Sequence, residues 1–126
     1  MNTVLIVEDD IIIAYDVKNT LEKYGYKIFD IVLSAEDAIA SVEKNKPDLV
    51  IMDIILAGEM SGLEAAKVIA EKYSGNIVFL SALADVKTLQ LAGDISSLGY
   101  IIKPFQDNVL ISKIDNAFEK IANKKN

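Results

Sequence analysis

Five short runs of aliphatic residues recur along this 126-residue chain, separated by segments long enough to hold a helix. Each run is continuously apolar, whereas a strand with one face in water alternates apolar and polar positions. Continuous runs are typical of a parallel sheet that is covered on both faces. We therefore predict five buried strands, at Val4 to Val7, Ile28 to Val32, Leu49 to Met52, Ile77 to Leu80 and Tyr100 to Ile102.

Four of the five segments that follow these strands carry apolar residues at helical spacing. Gly25 is a stop signal for the first helix, and Ser34 with Asp37 resembles the capping pair that opens the second. Pro47 prevents that second helix from continuing. The predicted helices cover about Asp10 to Tyr24, Ser34 to shortly before Pro47, Leu63 to Tyr73 and Val109 to Ile121.

The remaining segment, Ala84 to Gly99, has a helical pattern that Gly93 and its polar neighbours interrupt. Because glycine lowers helix propensity, we expect a short, mobile helix there. Strict alternation of strand and helix predicts an α/β fold, a doubly wound parallel sheet with right-handed crossovers and helices on both faces. No repeat or linker divides residues 1–126, so we expect one domain and no output domain.

Composition narrows the classes of function. The chain is 52% hydrophobic and 25% charged, has no apolar run near the length of a membrane span, and starts without a signal peptide, so we expect a cytoplasmic protein with no membrane contact. It contains no histidine and no cysteine, which argues against zinc and favours a hard cation such as Mg²⁺. A net charge of −6 argues against direct nucleic-acid binding.

Polar residues follow the predicted strands where a purely structural turn would not need them. The first strand runs into the acids Glu8, Asp9 and Asp10. Crowded carboxylates raise one another's pKa unless a cation compensates, so a divalent metal is one interpretation and a favourable helix start is the other. The third strand ends in Asp53, either a nucleophile or metal ligand, or a turn residue.

The fourth strand ends in Ser81 and the fifth in Lys103, and neither residue is informative alone. In a doubly wound sheet, however, the carboxyl ends of the first, third, fourth and fifth strands surround one crevice. An acidic cluster, a hydroxyl and an ammonium there meet the needs of phosphoryl transfer to a carboxylate. Asp53 would attack in line, with Mg²⁺ and Lys103 supplying positive charge and Ser81 a hydrogen bond.

The motifs VEDD, PDLVIMD, LSA and YIIKPF, in this order at these strand ends, resemble the response-regulator receiver family, and the likeness spans nearly the whole chain. The resemblance implies that Asp53 is phosphorylated, that Lys103 contacts the phosphoryl group, and that Ser81 and Tyr100 form the conformational switch. It also implies a Mg²⁺ site, with Asp10 as a helix cap outside it. The implied ligands are Asp9, Asp53 and the backbone carbonyl of Ile55, with Glu8 acting through water.

The same resemblance implies a flavodoxin-like (βα)5 fold with strand order 2-1-3-4-5, as in stand-alone chemotaxis-type receivers. The phosphodonor would be a sensor histidine kinase or a histidine phosphotransfer domain. A downstream protein would bind the face formed by Ala84 to Tyr100 and the last helix. The protein would be a monomer or a phosphorylation-dependent dimer. It would not be a conventional enzyme, since it would catalyse only its own phosphorylation and slow autodephosphorylation.

The chain departs from many receivers in the loop after Asp53, where Ala57 and Gly58 stand in place of a proline. Ile55 and Leu83 are apolar and cannot orient an attacking water, so we expect a long-lived phosphoryl group. A phosphatase of the haloacid dehalogenase type would need a second Asp at position 55, and a flavodoxin would need a phosphate-binding loop after the first strand. The remaining alternative is a receiver-like binding module that works without phosphorylation.

Overall fold

The structure of the chain, a computed structural model, describes residues 2–85, 87 and 97–124. Five parallel strands form one sheet in the order β2-β1-β3-β4-β5, which confirms the predicted topology. The central strand β3 pairs with β1 and β4, so the carboxyl ends of these three strands lie side by side. The strands are β1 (Thr3–Val7), β2 (Lys27–Val32), β3 (Leu49–Asp53), β4 (Ile77–Ala82) and β5 (Tyr100–Lys103).

In the described part of the chain, four α-helices accompany the sheet, and the start signals read from the sequence for the first two are confirmed. Asp10 accepts hydrogen bonds from the backbone N–H groups of Ile12 and Ile13, and Ser34 accepts one from Asp37. Among the described residues, no helix is both long enough and apolar enough to cross a membrane. The helices are α1 (Ile11–Lys23), α2 (Ala35–Asn45), α3 (Gly62–Tyr73) and α4 (Asp107–Lys124).

The predicted helix between Ala84 and Gly99 is only partly described. A single 3-10 turn follows β4 at Leu83–Asp85. Residues 86 and 88–96 lie outside the described part of the chain. The prediction of a short helix there therefore stays a prediction.

Two apolar cores hold the sheet, one on each face. On one face, Val4, Ile51 and Leu80 pack with α1 and α4. On the other, Leu5, Met52 and Phe79 pack with α2 and α3. Alternate residues of β1, β3 and β4 thus point into opposite cores, which explains why these strands are continuously apolar.

The prediction of five buried strands is wrong for β2 and holds only in part for β5, the other edge strand, in which only Ile101 is buried. Strand β2 lies at the edge of the sheet with β1 as its strand neighbour, and its residues are half-buried or exposed. Phe29 is 41% exposed. An edge strand pairs on one side only, so its apolar residues are less enclosed than those of central strands.

Thr3 and Asp48 join the start of β1 to the start of β3, at the end of the sheet opposite Asp53. The Thr3 backbone N–H and hydroxyl both donate to Asp48 Oδ2 at 2.9 Å, and the Asp48 N–H donates to Thr3 Oγ1 at 3.1 Å. We expect Thr3→Val to lower the free energy of unfolding by about 1–2 kcal/mol, since it removes two hydrogen bonds from half-buried groups. Urea denaturation measures this loss, and an unchanged midpoint would contradict it.

Candidate functional site

The carboxyl ends of β1 and β3 bring three acidic side chains together. Glu8 and Asp9 follow β1, and Asp53 is the last residue of β3. One carboxylate oxygen from each lies within 4.8 Å of the others. Glu8 is 1% exposed and Asp53 is 5% exposed, whereas Asp9 is open to solvent. The predicted meeting of these acids at one sheet edge is confirmed.

Lys103, the last residue of β5, reaches these acids past β4. Its Nζ donates to Asp53 Oδ2 at 3.0 Å and to the two carboxylate oxygens of Glu8 at 3.2 and 3.3 Å. Desolvation lowers the pKa of Lys103, but the bond to Asp53 and the charges of both carboxylates outweigh it, so this pKa is raised. Lys103 is therefore a permanent cation here. Glu8, Asp9, Asp53 and Lys103 are called the acidic pocket below.

Glu8 has the strongest electrostatic perturbation in the acidic pocket. Burial, followed by the hydrogen bond and the charge repulsion from Asp53, raises the pKa of Glu8 to about 8, and Lys103 offsets only part of this. One ammonium thus balances two buried carboxylates incompletely. An added divalent cation would relieve the excess negative charge. The oxygen-only set of donors fits Mg²⁺, which prefers carboxylates, carbonyls and water.

The loop between β3 and α3 supplies backbone hydrogen bonds to two of these carboxylates. The Ala57 N–H donates to Asp9 Oδ2 at 2.9 Å, and the Ile55 N–H donates to Asp53 Oδ1 at 3.2 Å. Sequence reasoning missed both contacts, because any residue except proline offers a backbone N–H and no motif marks the donor. The loop therefore helps to set where both carboxylates point.

Ser81 lies near the carboxyl end of β4 and Tyr100 at the start of β5, and in the part of the chain described neither joins the hydrogen bonds of the acidic pocket. The Ser81 side chain is fully buried, and its hydroxyl donates to the carbonyl of Ala82 at 2.9 Å. The Tyr100 ring is half-buried against the core on the α2 and α3 side, with Lys113 Nζ 5.7 Å from its centroid. Their switch roles stay predictions, as does the Ile55 carbonyl as a metal ligand.

Three apolar side chains in the segments that follow β1, β3 and β4 are exposed to solvent. Ile12, Ile55 and Leu83 are 78%, 56% and 70% exposed. A cavity of about 330 Å³, lined in part by Ile13 and Phe105, opens beside Lys103.

Comparison with known proteins gives a consistent result. The sequence profile of the response regulator receiver domain matches residues 4–115. Transcriptional regulatory protein PdtaR of Mycobacterium tuberculosis is 35% identical over 117 residues, which are 93% of this chain and 57% of PdtaR. Transcriptional regulatory protein YvrH of Bacillus subtilis is 37% identical over 112 residues, 89% of this chain and 47% of YvrH. The chain thus spans about half the length of these curated relatives.

Solved structures agree with this likeness. The signal receiver domain of a modulated diguanylate cyclase from Desulfovibrio desulfuricans superposes with a TM-score of 0.88 at 31% identity, covering 97% of both chains. The N-terminal domain of a response regulator/sensory box/GGDEF protein from Carboxydothermus hydrogenoformans gives a TM-score of 0.89 at 31% identity, covering 98% of this chain and 99% of that one.

The raised pKa of Glu8 predicts a dependence of stability on pH in the absence of divalent metal. Between its ordinary value of 4.5 and about 8, the unfolded chain ionises Glu8 while the folded protein keeps it protonated. The associated stability is complete below the lower value and is lost as pH rises through the upper one. With a chelator present, we expect the native protein to lose more stability over this range than the Glu8→Gln variant.

Thermal unfolding across this pH range, compared with the exposed-site control Glu22→Gln, measures the effect. The control should follow the native protein. Parallel stability curves for the native protein and the Glu8→Gln variant would show that the Glu8 carboxyl titrates normally.

Proposed function

We propose that this chain, which belongs to the response regulator receiver family, accepts a phosphoryl group from a phosphohistidine onto Asp53 and signals by a change of conformation. The observation that carries the proposal is the position of Asp53. Its buried carboxylate lies 3.0 Å from Lys103 Nζ, in a pocket with two further acids. A carboxylate that served only a turn would not need a half-buried ammonium as its partner.

The two oxygens of Asp53 have different partners, which orients the carboxylate. Oδ1 accepts from the Ile55 N–H and Oδ2 from Lys103. In the proposed transfer, one carboxylate oxygen forms a bond to phosphorus while the phosphorus–nitrogen bond of the phosphohistidine breaks. The imidazole leaves with the electron pair of that bond. A carboxylate nucleophile has no proton to lose, so the transfer needs no base from this chain, and none of its residues is a histidine.

Negative charge on the phosphoryl oxygens is neutralised by groups already in place. The Lys103 ammonium, shared between Glu8 and Asp53, can move its hydrogen bonds to the new oxygens. When bound, Mg²⁺ supplies further neutralising charge. Asp9, Asp53 and the Ile55 carbonyl would hold it, with Glu8 acting through water.

The proposed signal starts from the Ser81 hydroxyl. Its present acceptor is the Ala82 carbonyl, and a rotation would bring it towards a phosphoryl group on the adjacent strand. Tyr100, only half-buried, would then move inward and change the surface of Ala84 to Tyr100 and α4. A downstream protein partner would bind this surface, much of which lies outside the described residues.

The donor would be a sensor histidine kinase or a histidine phosphotransfer domain. We propose that it covers the exposed apolar side chains of Ile12, Ile55 and Leu83. The setting would be cytoplasmic and the protein a monomer or a phosphorylation-dependent dimer. Catalysis would be limited to the protein's own phosphorylation and slow dephosphorylation. The names of PdtaR and YvrH describe transcriptional regulation, and any such output of this protein is likewise a proposal.

Incubation with acetyl phosphate, followed by intact mass measurement, tests the transfer. We expect a single phosphoryl adduct that requires Mg²⁺, is absent from Asp53→Ala and persists in the control Asp30→Ala, which changes an exposed carboxylate on β2. An adduct that survives Asp53→Ala would place the chemistry elsewhere. Failure with acetyl phosphate and with several phosphohistidine donors would instead favour the binding module that works without phosphorylation.

The lifetime of the phosphoryl group is a separate prediction, based on Ile55. This side chain is 56% exposed beside Asp53 and offers no polar atom to position a water. We expect Ile55→Asn to speed dephosphorylation by about tenfold, less than the roughly hundredfold or more that a positioned acid or base contributes. Tyr24→Asn, which changes a side chain that is 57% exposed at the C-terminal end of α1, is the control. An unchanged or slower decay in Ile55→Asn would reject the explanation.

A further inference from the structure

The start of α3 presses directly on the backbone of Asp53. Gly62 is the first residue of α3, and its N–H donates to the Ile54 carbonyl at 2.9 Å. A Cβ atom at position 62 would lie 1.6 Å from the Asp53 carbonyl oxygen and 2.8 Å from its carbonyl carbon. Such contacts must open to at least 3.0 Å, so any side chain at position 62 would force helix and strand apart by about 1.4 Å.

Space, and not backbone conformation, is what requires glycine at position 62. Gly25, Gly58 and Gly99 have positive φ angles, and Gly62 does not. An alanine at position 62 could therefore adopt the native backbone angles, and the main obstacle is the backbone of Asp53, with the Ile54 carbonyl oxygen next at 3.1 Å. A substitution at position 62 would therefore act by displacing the Asp53 backbone, next to the acidic pocket.

Both partners of this contact are held firmly. On one side, β3 is fully buried and paired with both neighbouring strands. On the other, Ser61 and Glu64 form a capping box at the start of α3, while Ala65, Ala66 and Ile69 are buried in the core. Neither β3 nor α3 can move away without losing core packing or the helix cap. A larger residue at position 62 would therefore displace the backbone of Asp53 as well.

We propose that Gly62 is a positioning residue for the phosphoacceptor. Because Gly62 has no side chain, α3 can pack close to Asp53 and fix the position of the Asp53 backbone. That position in turn sets the contacts of the Asp53 carboxylate with Lys103 and with the Ile55 N–H. The inference deepens the proposed function and rests on it for its consequence in phosphotransfer. The geometric part, the dependence of the Asp53 carboxylate on Gly62, can be measured without any phosphodonor.

The variant pair Gly62→Ala and Gly75→Ala tests the proposal. A Cβ at position 75 would also be crowded, 2.4 Å from Ile69 Cγ2, but beyond the opposite end of the same helix. Three quantities are measured in the full chain: the ¹³C chemical shift of the Asp53 carboxyl, the Mg²⁺ affinity by calorimetry, and the maximal rate of phosphorylation by acetyl phosphate. Thermal unfolding reports the stability of each variant.

For Gly62→Ala we expect a changed Asp53 carboxyl shift, and losses of about tenfold or more in Mg²⁺ affinity and maximal rate, the scale expected for a misplacement of about 1 Å. The half-saturating concentration of acetyl phosphate should change little, because donor binding does not involve Gly62. Gly75→Ala should lose stability yet keep the native carboxyl shift, Mg²⁺ affinity and maximal rate. A native carboxyl shift and Mg²⁺ affinity in Gly62→Ala, or equal losses in both variants, would overturn the proposal.

A second pair covers the case in which Gly62→Ala does not fold. Ser61→Ala removes the side-chain cap that fixes Gly62, and Ser34→Ala removes the same kind of cap from α2. Only Ser61→Ala should alter the Asp53 carboxyl shift, and an equal effect of both would count against the proposal. If the native protein takes no phosphoryl group, the proposed function fails, while the carboxyl shift still decides the role of Gly62.

Discussion

The burial of two carboxyl groups at the ends of adjacent strands, with one ammonium between them, is the constraint on which this molecule depends. Glu8 and Asp53 are almost removed from water, and the single ammonium of Lys103 is shared between them. Buried carboxylates without full compensation are costly, as the raised pKa of Glu8 shows. Lys103 alone therefore does not fully compensate the acidic pocket. Added positive charge, or a redistribution of negative charge in the pocket, would change the stability of the whole site.

The fold tolerates the cost of burying these carboxyl groups because the strands that carry them are stabilised by their own apolar packing. β1, β3 and β4 have apolar cores on both faces, so the ends of β1 and β3 hold their acids in place without help from the acids themselves. β5 adds Lys103 from across β4. The edge strand β2 contributes no side chain to the acidic pocket, but its last residue, Val32, accepts a hydrogen bond from the Glu8 N–H at 3.1 Å.

Much of this arrangement could be predicted from residue types. Continuous aliphatic runs located the five strands, and Asp10 and Ser34 marked helix starts that the structure confirms. The meeting of Glu8, Asp53 and Lys103 followed from the rule for carboxyl ends of parallel strands. What failed was the solvent exposure of β2, since a run of apolar residues does not reveal whether a strand lies at the edge of its sheet. The direction of the Ser81 hydroxyl was equally inaccessible, because it is fixed by local geometry.

The contacts to the acidic pocket that sequence could not reveal share one property: they are made by backbone atoms of a single connection, from Ile54 to Gly62. Ala57 holds Asp9, Ile55 holds Asp53, and Gly62 lies against the Asp53 carbonyl. Three contacts from one short segment make it a structural part of the acidic pocket. On the proposed function, a phosphoryl group on Asp53 would compete for the Ile55 N–H and for Lys103 together. The loop would therefore respond to phosphorylation alongside Ser81, because its hydrogen bonds end on the very carboxylates whose charge changes.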